Sequence, residues 1–262
     1  HVAQTAGLAL ATDLASGESR PHVVALLYLM LLIGMIGSAL IFAALLTDFG
    51  YVRLIQVIQS AAVITLVLNV VAMLKQEARR PDLTHHALAR PTFGNAWRDF
   101  ISLPKARRLL WALGLGTMGF TMQDILLEPY GAQVLGLSVS DTTLLTAMFA
   151  GGMILALILT SRRLDKGSDP IRVASTGILV GITAFAFVIL SAPFQAPALF
   201  QVGAALIGLG NGLFAVGMLT AAMVFGGDKM AGLTLGAWGA VQAAAAGVAM
   251  FSGGAIRDLV AG

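Results

Sequence analysis

The chain has 262 residues, of which 58% are hydrophobic and 11% charged, with a formal net charge of +3 and a mean hydropathy of +0.87. Soluble domains carry about 25% charged residues, so this composition excludes a water-soluble globule and points to an all-α protein of the membrane. Cysteine is absent, which excludes disulfides and thiolate metal centres. The small positive charge lies between apolar runs and is not a nucleic-acid signature.

Residues 2–12 (VAQTAGLALAT) are apolar but too short to span a bilayer. They read as the second half of a helix that begins upstream. Seven apolar runs then approach the roughly 20 residues a spanning helix needs: 23–46, 54–74, 109–127, 142–161, 171–192, 198–225 and 230–256. The last two are rich in glycine and alanine, so tilts or kinks are expected. Glycine pairs such as Gly177/Gly181, Gly208/Gly212 and Gly232/Gly236 permit close helix contact, within the bundle or with a partner helix.

Between 54–74 and 109–127 lies one long basic connection, broken by Pro81, Pro91 and Pro104. Its segment FGNAWRDFISLPKARR mixes Phe93, Trp97, Phe100 and Ile101 with Arg98, Lys105, Arg107 and Arg108. It reads either as an amphipathic helix on the membrane surface or as a solvated linker with aromatic anchors. The chain therefore divides into an N-terminal helical part (1–76), an inter-half loop (77–108) and a C-terminal part (109–262). All lysines and arginines except Arg53 and Arg257 fall on the side of the membrane that holds this loop. That side is expected to be cytoplasmic.

The run 109–127 ends in polar residues. Gln123 and Asp124 lie about one turn from Glu128, and Asp124 and Glu128 share a helix face. An acid inside a span costs about 2.5–3.5 kcal/mol on insertion scales and calls for a reason. One reading is a polar site for a head group, proton or ion. The other places Glu128 in water at the membrane interface, with Pro129 ending the helix. Gln4, Gln56, Gln59, Asn69, Asn211, Trp238 and Gln242 are further polar or aromatic candidates; each reads either as cavity lining or as an interhelical contact. Trp238 either stacks on a macrocycle or fills a packing gap.

Two halves joined by a basic loop suggest the major facilitator architecture. Arg163, Asp165, Lys166 and Gly167 resemble the Asp-Arg-x-Gly loop element of that superfamily. Residues 6–20 (AGLALATDLASGESR) resemble the end of a fourth helix, and Gly208, Gly210, Asn211 and Gly212 a glycine-rich tenth helix. In that register the chain runs from the end of helix four through helix eleven. Helices one to three and helix twelve are then expected outside it.

Several blocks are more specific: HVAQTAGLALATDLA (1–15), RLIQVIQSAAVITLVLNVVAMLKQEAR (53–79), MQDILLEPYGAQVLGLSVSDTTLLTAMFAGG (122–152), ALIGLGNGLFAVGMLTAAM (205–223) and GAWGAVQAAAAGVAMFSGGAIRD (236–258). In these the chain resembles the PucC/LhaA (bacteriochlorophyll delivery) family of phototrophic bacteria. The resemblance implies a multi-pass protein of the bacterial inner or photosynthetic membrane. It implies help in assembling light-harvesting antennae, with antenna polypeptides or the reaction-centre core as partners and bacteriochlorophyll as a transient or bound cofactor. The pigment- or substrate-binding candidates are Gln123, Asp124, Glu128, Asn211, Trp238 and Gln242. No catalytic motif is visible, so no enzyme activity is expected, and no metal site in the protein itself. His1, His22, His85 and His86 all avoid the middle of the spans read here, so a buried magnesium pigment needs an oxygen donor or water instead. The alternative is a proton-coupled secondary transporter with Asp124 as the coupling acid. A scaffold recruiting partners through the basic loop is a third option.

Overall fold

In the computed structural model of the chain, the described residues are 19–45, 50–74, 92–137 and 139–261, with Gly7 and Leu10. Gln4, His1, His85 and His86 lie outside them. The chain divides into two compact units, Leu31–Ala96 and a larger one of His1–Met30 with Trp97–Gly262.

Among the described residues every regular element is an α-helix: α1 Arg20–Leu45, α2 Tyr51–Met73, α3 Phe93–Ser102, α4 Pro104–Thr121, α5 Gln123–Val134, α6 Val139–Asp165, α7 Pro170–Ser191 and α8 Pro197–Ala261. Five stretches among them are long and apolar enough to cross a membrane: Tyr51–Met73, Leu145–Asp165, Pro170–Ser191, Pro197–Gly227 and Met230–Leu259. Helix α1 runs for 26 residues with no Asp, Glu, Lys or Arg after Arg20. The molecule is an all-α polytopic membrane bundle.

Local chemistry sets the helix ends. Pro104 stands at the start of α4, and the preceding Leu103 is extended (φ −72°, ψ 119°), as a residue before proline prefers. Asp169 caps α7, its carboxylate accepting a hydrogen bond from the Ile171 N–H at 2.9 Å, with Pro170 in the first turn. Helix α6 ends in a Schellman motif. Gly167 takes φ +79°, its N–H donates to the Leu164 carbonyl at 2.9 Å, and the Ser168 N–H donates to the Arg163 carbonyl at 3.1 Å. A residue with a Cβ is strained at that φ.

One boundary differs from the apolar pattern. The run 109–127 is not one helix: α4 stops at Thr121, Met122 forms a turn, and α5 continues from Gln123. Pro129 does not end α5 but lies inside it. Only the bond its missing N–H would make is lost, and the chain stays helical to Val134. The runs 198–225 and 230–256 belong to α8, which bends at Gly227 (φ 49°, ψ −154°). That glycine conformation breaks the helix, and the charged pair Asp228 and Lys229 follows it between the two apolar segments.

In the larger unit, α8 packs against α4, α5, α6 and α7. Its first segment, Pro197–Gly227, is the most buried of the candidate spans. Glycines let backbones meet there. A Cβ on Gly152 would lie 2.0 Å from the Ala205 carbonyl oxygen, and one on Gly208 would lie 2.0 Å from that of Phe149. On the other side, Cβ atoms on Gly177 and Gly210 would lie 2.6 and 2.8 Å from each other's carbonyl oxygens. Gly177, Gly181, Gly208 and Gly212 are thus used inside the bundle, whereas Gly232 and Gly236 face open space.

Helix α3 has an unexpected place. Phe100 is completely buried, and Trp97, Phe100 and Ile101 pack with Phe225, Met230, Leu233 and Ala237 around the Gly227 bend. The Phe100 ring lies 5.8 Å from Trp97 and 6.1 Å, edge-on, from Phe225. Of the aromatic face expected to meet the membrane surface or to anchor a solvated linker, Trp97, Phe100 and Ile101 cover the protein itself, while Phe93 is 74% exposed. An apolar stripe shows only that a partner exists; the bend supplies one. In the smaller unit, α2 buries only Val57 among its own residues, and Gln56, Gln59 and Ser60 line one depression with Val63 and Ile64. Asn69 turns back to its own helix, its Nδ2 donating to the Thr65 carbonyl at 2.7 Å.

The glycine contacts are testable by size. Gly208→Leu is expected to destabilise the bundle by about 1–3 kcal/mol, the usual cost of overpacking, while Gly232→Leu leaves thermal unfolding in detergent unchanged. Equal melting of the two variants would show that the close approach is not what holds the helices.

Candidate functional site

A cavity in the larger unit has a volume of about 790 Å³ and is bounded by α4, α5, α7 and the end of α8. Gly119, Gln123, Leu126, Leu127 and Tyr130 form its first wall. The spacing of Gln123, Leu127 and Tyr130 is that of one helical face. Phe185, Val188 and Ile189 of α7 form the second wall, and Ile256 and Arg257 of α8 the third. The lining is apolar with few polar groups, the usual character of a small-molecule site, and the volume falls within the range of about 300–1,000 Å³ typical of such sites.

Gln123 supplies the principal polar feature. It is only 7% exposed. Its Nε2 donates to Asp124 Oδ1, which orients the amide. Its Oε1 is buried and has no hydrogen-bond partner. An unmade bond at a buried acceptor costs about 1–3 kcal/mol, so this oxygen calls for a donor or a hard cation. Arg257 is differently placed. Its Nε and Nη2 both donate to Oδ1 of the adjacent Asp258, at 3.0 and 2.8 Å. Tyr130 is fixed by its ring contact with Phe200, at 5.8 Å between centroids.

The sequence candidates do not converge. Asp124 and Glu128 are exposed and do not line the cavity. Each residue advances about 100° around a helix, so the face of Gln123, Leu127 and Tyr130 turns the two acids away. Asn211 is half-buried on the first segment of α8, and Gln242 half-buried on the second; neither lines this cavity. Trp238 is 2% exposed, with its Nε1 buried and unpartnered, so its indole offers no open face to a macrocycle. His22 Nε2 lies 3.3 Å from Asp165 Oδ1, Arg163 and Gly167 take part in the helix-ending turn, and Lys166 is exposed beside them. Among the described residues no group of three or more His, Cys, Asp or Glu could hold a metal ion.

Tyr130, Gln133, Gly119 and Arg257 are cavity residues that sequence reasoning passed over. Tyr130 could have been found, since it lies seven residues from Gln123 on the same face. The contributions of α7 and α8 carry no local signal.

A bundle of apolar helices lining a largely apolar cavity defines a polytopic integral membrane protein with a small-molecule-sized groove. The chain matches the family described as PUCC protein over residues 1–262, and it belongs to that family. It is 50% identical over 263 residues to "Protein PucC" of Rhodovulum sulfidophilum, covering 99% of this chain and 58% of that protein. It is 51% identical over 262 residues to an "Uncharacterized protein in puhA-bchM intergenic region" of Rhodobacter capsulatus, covering 100% and 55%. A more distant relative, 27% identical over 267 residues with 98% and 60% covered, is the "Bacteriochlorophyll synthase 44.5 kDa chain" of Rhodobacter capsulatus. The chain thus spans little more than half the length of these curated relatives. No solved structure matches it.

The orphaned oxygen generates a prediction. Gln123→Leu removes a buried unsatisfied acceptor along with one hydrogen bond, so the melting temperature in detergent is expected to stay level or rise. A fall of several degrees would mean that Oε1 has a structural partner after all.

Proposed function

We propose that the protein is an assembly factor of the photosynthetic membrane that binds or delivers bacteriochlorophyll during formation of core or peripheral light-harvesting complexes. It works without enzymatic turnover, in the bacterial inner membrane, with its basic loops on the cytoplasmic side. Antenna polypeptides and the reaction-centre core are its partners. The observation that carries this proposal is the apolar chamber with a single buried, unpartnered amide oxygen at Gln123. A relative's name refers to bacteriochlorophyll, which supports the choice of cargo.

The cargo's chemistry fits the residues present. Magnesium is a hard cation that favours oxygen ligands, and Gln123 Oε1 is an uncommitted oxygen. The described residues place no histidine on the cavity wall, so an amide oxygen or a magnesium-bound water takes the part imidazole often plays. The apolar walls exclude water and suit the hydrocarbon parts of a tetrapyrrole ester. A single oxygen contact and a bilayer-facing chamber favour release over permanent retention, as delivery requires.

The test is purification of the tagged full-length protein in mild detergent, with an absorption spectrum and a subunit gel. Near-infrared bacteriochlorophyll bands together with antenna polypeptides are expected. A colourless, solitary protein from pigmented cells would count against the proposal.

Asp124 favours a second reading, a proton-coupled transporter, because its exposed carboxylate sits on a helix within the bundle and accepts from Gln123. On the assembly reading, Asp124→Asn leaves antenna levels close to those of the parent strain. Proton-driven solute uptake by the purified protein in liposomes, abolished by the same substitution, would establish the transporter instead.

A further inference from the structure

Resting on the pigment reading above, we infer that the cavity between α4/α5, α7 and the end of α8 is the seat of the pigment's hydrocarbon tail, with Gln123 at its polar end. Four observations converge on this assignment. The walls contributed by Leu126, Leu127, Phe185, Val188 and Ile256 are hydrocarbon or ring surface. The rim residues Ile189 and Ile256 are exposed apolar side chains on helices long and apolar enough to cross a membrane, with Ile189 66% exposed. A chain therefore enters sideways from the bilayer rather than from water.

The third observation is electrostatic. Arg257 is the cationic residue of the lining, and its guanidinium is already engaged by Asp258. No uncompensated cation waits for a phosphate, which disfavours an anionic phospholipid and favours a neutral amphiphile. The fourth is Gln123 itself, 7% exposed, with an acceptor oxygen that lacks a partner. A purely apolar occupant leaves that oxygen unsatisfied. A tetrapyrrole ester brings both parts: an isoprenoid chain for the walls, and a magnesium ion or its bound water for the oxygen.

The second cavity, of about 450 Å³ between α4 and the second segment of α8, provides the contrast. Its lining is apolar apart from Arg107, and it holds no buried unpartnered polar atom. Gly119 makes the first cavity addressable. A Cβ added there meets nothing within 4 Å, so a larger side chain enters the chamber without displacing a neighbour.

The experiment uses full-length protein in phosphatidylcholine nanodiscs, with bacteriochlorophyll a and its tail-less acid, bacteriochlorophyllide a, as probes. Binding is read by pigment fluorescence. The tailed pigment is expected to bind at least about tenfold more tightly, since each buried methylene adds to affinity. Gly119→Leu is expected to abolish the preference for the tailed pigment over the tail-less one. Ile189→Trp, at the exposed rim, repeats the test should Gly119→Leu fail to fold. Free phytol is expected to compete with the tailed pigment, and phosphatidylglycerol is not.

Equal binding of the two pigments overturns the tail site while leaving pigment handling intact. A tail preference that survives both substitutions, as when a protein helix fills the chamber in the full-length chain, overturns it too. Competition by phosphatidylglycerol equal to that by phytol makes the chamber a lipid site and also overturns the assignment. Binding of neither pigment defeats the pigment reading itself.

Discussion

Close backbone contact at glycines is the constraint on which the larger unit depends. Lipid tails are as apolar as the side chains, so helix association in a membrane gains little from the hydrophobic effect and relies on packing. Helix α8 meets α6 through Gly152 and Gly208 and meets α7 through Gly177 and Gly210. At each crossing a single added carbon would overlap a neighbouring backbone. The first segment of α8 is thereby surrounded, and its burial follows from the glycine pattern rather than from greater apolarity.

Tight contact on one side leaves room on another. Toward α4 and α5, larger groups such as Phe185, Val188, Leu127 and Ile256 surround the chamber. The Phe120 ring fills the space beside Gly181, with Phe214 at 5.7 Å and Phe185 at 6.4 Å. Phe185 of that aromatic cluster also lines the cavity. The same glycine chemistry permits the bend at Gly227, and that bend creates the concave surface which α3 covers with Phe100.

The candidate site shows how one polar segment can serve two faces. Gln123, Asp124 and Glu128 lie within six positions, yet α5 points the amide at the chamber and leaves both acids exposed on another side. The contact between Gln123 Nε2 and Asp124 links the two faces. It commits one half of the amide and leaves the other half, Oε1, uncommitted.

Much was legible from composition and period. Apolar runs bounded by basic residues located α2, α6, α7 and the two segments of α8 to within a few residues, because span length and hydropathy are local properties. Pro104, the Asp169–Pro170 pair and Gly167 marked their helix ends by chain chemistry that needs no distant partner. Other features depended on residues far apart in sequence. The turn at Met122 and the continuation of α5 through Pro129 were not legible, since a proline removes one hydrogen bond without dictating where the helix stops. The partner of the α3 aromatic face, the burial of Trp238 and the walls from α7 and α8 were decided by tertiary structure alone. A side chain's periodicity states which way it faces; only the packed neighbours determine whether it meets lipid, protein or an empty chamber.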